Sequence, residues 1–102
     1  MLQLRPNCER CDVDLPPQAK NARICTYECT FCSQCVDEVL KNVCPNCGGG
    51  FTPRPIRPSQ THRAGVSLKH QPASTERIHT AYNEREIAEF CEPLKEVPSD
   101  QR

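Results

Sequence analysis

The chain has 102 residues, zero formal net charge, no Trp, three Phe, two Tyr, ten prolines and nine cysteines. At about 25 cal/mol per Å² buried, that apolar content cannot hold so short a chain alone, so metals or disulfides are needed. Residues 1–50 carry five basic and six acidic side chains, and eight thiolates on two divalent ions would add a net of about four negative charges, which argues against a general nucleic-acid binder.

Residues 1–7 alternate Leu2 and Leu4 with polar residues, which suggests a short strand. Cys8-Glu9-Arg10-Cys11 is a C-x-x-C knuckle. Pro16-Pro17 excludes helix from the following loop. Residues 22–28 are β-rich by residue type and form one arm of a hairpin that returns through residues 29–32. Val36, Val39, Leu40 and Val43 then fall at i, i+3, i+4 and i+7, which predicts a two-turn helix over residues 36–43. Asp37 and Glu38 sit in its first turn and Lys41 near its end, as the helix dipole favours. Cys44-Pro45-Asn46-Cys47 is the last knuckle, and the three glycines after it supply positive φ and let N–H groups turn toward the sulfurs.

Residues 53–73 read as a basic, Pro-rich linker, largely disordered. In residues 74–102, Asn83 with Glu86 resembles a capping box. Ile87, Phe90, Cys91 and Leu94 share a stripe, and Pro93 ends it, so a short helix is expected around residues 84–92. The expected organisation is a cysteine-rich unit over residues 1–52, the linker, and a mostly disordered tail carrying that helix.

Eight of the cysteines lie between Cys8 and Cys47 in four close pairs. Four thiolates are the usual closed shell of structural zinc, so two zinc ions are expected. The opening residues have no apolar run of signal-peptide length, and no segment approaches the roughly 20 apolar residues of a membrane span. A cytoplasmic chain with reduced thiols is therefore expected, which favours metal over disulfides.

Two groupings are open. In the sequential one, Cys8, Cys11, Cys25 and Cys29 share one ion, and Cys32, Cys35, Cys44 and Cys47 the other. In the interleaved one, site 1 is Cys8, Cys11, Cys32 and Cys35, and site 2 is Cys25, Cys29, Cys44 and Cys47. A helix over residues 36–43 spans about 12 Å, whereas two sulfurs on one zinc lie at most about 4.6 Å apart. That favours interleaving; a turn and strand in place of the helix would restore the sequential set.

The spacing C-x2-C-x13-C-x3-C-x2-C-x2-C-x8-C-x2-C is similar to the RING cross-brace, with Cys29 where most RING domains have His, and the final C-P-x-C also resembles RING. The resemblance implies a small metal-stabilised α+β fold of RING-like, treble-clef type with two four-cysteine zinc sites, a short hairpin and one short helix. Glu9 and Arg10 stand where RING ligases commonly carry an apolar residue, the helix lacks the frequent Trp, and Gly48 stands near where active ligases place Arg. More closely, L-R-P-N-C-E-R-C, R-I-C-T-Y-E-C-T-F-C and C-P-N-C-G-G-G resemble a family of small bacterial cysteine-rich proteins, domain of unknown function 1272. That resemblance implies a bacterial, cytosolic, zinc-binding protein and implies no activity.

Catalytic zinc needs an open coordination position, and four cysteines per ion leave none. No nucleophile–base pair, phosphate loop or H-E-x-x-H is present, so no enzyme is expected. Cys91 reads as a small hydrophobe on the helix stripe, and His62, His70 and His79 as bystanders. The Cys29–Cys32–Cys35 spacing echoes an iron–sulfur run but lacks the Cys-Pro that completes it. Residues 54–69 are basic without interleaved aromatics for base stacking. The expectation is a structural-zinc protein-interaction module whose partner is another protein. The alternatives are a zinc–thiolate redox switch, a ligase-like adaptor, or a nucleic-acid accessory protein acting through residues 54–69.

Overall fold

The computed structural model describes the whole chain, Met1 to Arg102. Strand β1 (Ala22–Ile24) pairs antiparallel with β2 (Thr30–Cys32), with Ala22 opposite Cys32 and Ile24 opposite Thr30. Ile24, Thr30 and Phe31 suit a half-buried pleated surface. The hairpin closes through Glu28, whose φ is 66° and whose N–H donates to the Cys25 carbonyl at 3.1 Å. Cys25 and Cys29 thus sit at the hairpin tip and Cys32 at its base, separated by three strand residues at about 3.3 Å each.

A third strand, β3 (Thr52–Pro53), pairs with the free edge of β1. The Arg54 N–H donates to Ala22 O at 3.0 Å, so Pro53 presents its missing donor outward on an edge strand, where it costs no ladder bond. No strand forms at Leu2–Leu4; Leu4 is nevertheless buried.

The helix expected over residues 36–43 starts and ends earlier. A helix α1 (Ser33–Cys35) runs directly into a π-helical segment (Val36–Leu40). It starts early because Cys32 Sγ accepts from Cys35 N at 3.4 Å and acts as the N-cap. It ends early because Lys41 and Asn42 adopt left-handed φ of 52° and 61°, which turns the chain back and still buries Val43. The core combines Leu15, Phe31, Val36, Leu40 and Val43 with the buried cysteines. Phe51 meets Phe31 edge-on, with centroids 5.5 Å apart.

The expected disorder of the second half is corrected by the structure: the tail packs along its length. Arg54 is only 4 % exposed. Its Nη1 donates to Arg5 O at 2.8 Å, and its Nη2 to Leu15 O and Pro16 O at 3.2 and 2.9 Å. Arg57 clamps the carbonyls of Leu2 and Gln71, and Ser67 is fully buried. A Pro-rich basic stretch that reads as a solvated linker therefore holds itself down by side chain-to-carbonyl bonds. Arg54→Ala, which removes three hydrogen bonds and leaves the Arg5 and Leu15 carbonyls without a partner, should cost about 3 kcal/mol, read as a lower melting temperature. Lys at this position should recover only part, because a point-like ammonium lacks the fork that spans them.

Residues 74–80 run beside the lead-in. Ser74 N donates to Leu4 O, and Asn7 exchanges two hydrogen bonds with the Ile78 backbone, at 2.8 and 3.2 Å. Helix α2 (Glu84–Cys91) opens on a complete capping box between Asn83 and Glu86. Ile87 and Cys91 enter the core, while Phe90 and Leu94 lie against Gly48. Ile87 is 1 % exposed. Ile87→Ala should cost about 2–5 kcal/mol in a denaturant melt, since this side chain, with Cys91, anchors the helix to the core.

Candidate metal centre

The first and last knuckles are local turns with a shared construction. In the first, Cys8 N donates to Val13 O and Asp12 N to Cys8 O, both at 2.9 Å. In the last, Cys44 N donates to Gly49 O at 2.8 Å and Gly48 N to Cys44 O at 2.7 Å. The residue after the second cysteine is left-handed in both, with φ 66° at Asp12 and 83° at Gly48. Gly48 takes that conformation without strain; Asp12 is among the few residue types that tolerate it. Backbone N–H groups reach the sulfurs as well: Tyr27 N lies 3.3 Å from Cys25 Sγ and Gly49 N 3.4 Å from Cys47 Sγ. Such donors favour thiolates.

The sulfurs fall into two crossed sets. Those of Cys8, Cys11, Cys32 and Cys35 all lie within 4.8 Å of one another, as do those of Cys25, Cys44 and Cys47. Cys29 stands against Cys44 and Cys25 but not within 4.8 Å of all three. Cys35 and Cys44 belong to different sets, so the sequential grouping has no counterpart. The hairpin accounts for the crossing: its tip pair joins the last knuckle, and its base pair joins the first. Cys91, His62, His70 and His79 are in neither set. Cys91 is buried and points its thiol at Val43 O, 3.7 Å away.

The donor set fits a four-coordinate thiophilic ion. A tetrahedron with metal–sulfur bonds of about 2.3 Å has edges of about 3.8 Å, and Cys11 Sγ and Cys32 Sγ are 3.7 Å apart. The crowded thiols also respond to one another. Burial pushes Cys25 up to about 11. A hydrogen bond from Cys44 pulls Cys29 down to about 5, and Cys44 is pushed up in turn.

Residues between the cysteines were not legible as site residues, yet they tie the centre together. Glu9 is buried and accepts from Thr30 N, Arg5 and Asn46. Arg10 donates to Cys35 Sγ at 3.4 Å and, through Nη2, to Glu84 of α2 at 2.9 Å. One arginine thus links a sulfur of the first set to the tail helix. The only hint in the sequence was that two charged residues occupy a knuckle interior.

These features define a small cysteine-rich α+β protein with two thiol clusters able to hold metal ions. The chain belongs to the family described as "Protein of unknown function (DUF1272)", which matches residues 1–57. A relative titled "Uncharacterized protein R02474", from Rhizobium meliloti (strain 1021), is 54 % identical over 78 residues, spanning 76 % of this chain and 86 % of the relative. No solved structure matches this chain. No helix is long and apolar enough to cross a membrane.

Proposed function

We propose that this chain is a non-catalytic protein-interaction module whose first half is stapled by two zinc ions in a RING-like cross-brace. The observation that carries the reading is the pair of crossed thiol sets with sulfur spacing near a tetrahedral edge. Site 1 would be Cys8, Cys11, Cys32 and Cys35; site 2 would be Cys25, Cys29, Cys44 and Cys47. Zinc suits all-thiolate tetrahedral donors and closes its shell without a vacant position for substrate. The reducing cytoplasm suits such thiols. A protein partner is favoured over nucleic acid because Arg54 and Arg57 already spend their guanidinium groups on backbone carbonyls.

Elemental analysis of the purified protein should return close to two zinc ions per chain, with a colourless spectrum. A visible band would indicate iron–sulfur, and a content near zero would remove the reading. One observation favours a second role as a redox switch: one cysteine of each set, Cys11 and Cys47, is exposed. Titration with peroxide separates the two, since a sensor releases metal at low oxidant and a structural centre resists.

A further inference from the structure

We propose that the groove between the last knuckle and α2 binds a short peptide segment in which a basic side chain lies next to a large apolar one. This rests on the interaction-module reading and names its surface and partner class. The groove encloses about 430 Å³ and has Pro45 and Asn46 on one wall, Tyr82, Glu86 and Phe90 on the other, and Ile87 at its base. Tyr82 and Phe90 are 46 % and 42 % exposed. The other large exposed apolar residues, such as Tyr27, Ile56 and Val66, lie outside this groove. Two half-exposed aromatic rings flanking one hollow are the kind of anchor that partners bury.

Charge complementarity decides what enters. Glu86 and Glu89 are the only charged residues lining the groove. Glu86 gives one carboxylate oxygen to the N-cap of α2. Glu89 pairs only with Arg85, in a bond whose partners are 65 % and 87 % exposed. Exposed pairs of this sort are weak and readily exchanged. A Lys or Arg beside an apolar anchor would meet both carboxylates while the anchor fills the aromatic hollow; an acidic segment would be repelled.

The groove is also built before any partner arrives, which limits the ordering cost of binding. Asn46 Nδ2 donates to Glu9 at 3.2 Å, and its Oδ1 accepts from Thr80 at 2.9 Å. Pro45 stiffens the same wall, and the capping box fixes the start of the other. Because Pro45 and Asn46 lie inside a knuckle, the wall depends on that knuckle staying folded.

The test selects a phage-displayed library of random short peptides against the full-length protein as purified, with zinc content and thermal melt measured on the same preparation. Enriched peptides should pair Lys or Arg with an aliphatic or aromatic residue. Tyr82→Ala and Glu89→Lys should each weaken the synthesised best peptide by at least about tenfold while melting within a few degrees of the parent. The Glu89→Lys variant should in turn gain affinity for the same peptide with its cation replaced by Glu. No enrichment, enrichment of peptides without cations, equal binding to the variants, or self-association that fills the groove with a second copy would each overturn the proposal. If the protein carries two zinc ions yet selects nothing, the groove alone is wrong. If it carries no zinc yet selects the expected peptides, the groove stands and the metal reading falls.

Discussion

Treating the purified protein with a strong chelator is expected to unfold its first half rather than merely soften it. Structural zinc contributes on the order of 10 kcal/mol or more per site in small peptides, while a whole domain is stable by only about 5–15 kcal/mol. Two sites together therefore exceed any net stability the fold can have, and removing both leaves a deficit. The remaining core is thin: Phe31, Leu15, Leu40, Ile87 and Val43 are its largest fully buried apolar side chains. The strands are only two or three residues long and would not persist unaided. Loss of near-UV dichroism, recovered on adding zinc, is the expected readout. A chelated protein that keeps a cooperative melt at its original temperature would show that packing suffices.

Acid should release the metal, because each bound sulfur must be a thiolate and protons compete for it. Metal-loaded protein should therefore lose zinc monotonically as pH falls. Zinc release against pH, followed with a coloured chelator, reads it.

The sequence made the cysteine centre legible because its information is local. Spacing puts sulfurs on tight turns, the hairpin follows from residue type, and Asn83 with Glu86 three residues on marked the start of α2. What it hid depends on partners distant along the chain. Strand β3 is two residues with a Pro, and nothing in its own pattern says that β1 has a free edge. Arg54 and Arg57 looked like solvated charges because their acceptors are backbone carbonyls, which leave no mark in a sequence. The stripe Val36, Val39, Leu40 and Val43 was correctly apolar but belongs to two pieces. Lys41 and Asn42 turn left-handed between them, and Asn was the one residue there with a recognised taste for that region.

The crossed sets make a stoichiometric prediction that needs no structure to check. Cys8→Ser with Cys32→Ser removes two ligands from one set and leaves Cys25, Cys29, Cys44 and Cys47 whole, so about one zinc ion per chain should remain. Cys8→Ser with Cys25→Ser cripples both sets, and the zinc content should fall towards zero. A sequential arrangement would reverse the two results. Serine is the right replacement at Cys32, since that side chain caps α1 through Cys35 N and a hydroxyl caps a helix well. Should both double variants unfold and lose all metal, the natural sequence still answers. Partial chelation followed by thiol alkylation should expose sulfurs in crossed sets, with Cys8 and Cys11 becoming reactive together with Cys32 and Cys35. Alkylation of Cys8 and Cys11 alongside Cys25 and Cys29 would overturn the arrangement. The hairpin geometry explains why it should not occur: the pair at the tip and the pair at the base lie one strand length apart, about 10 Å, too far for four sulfurs to share one ion.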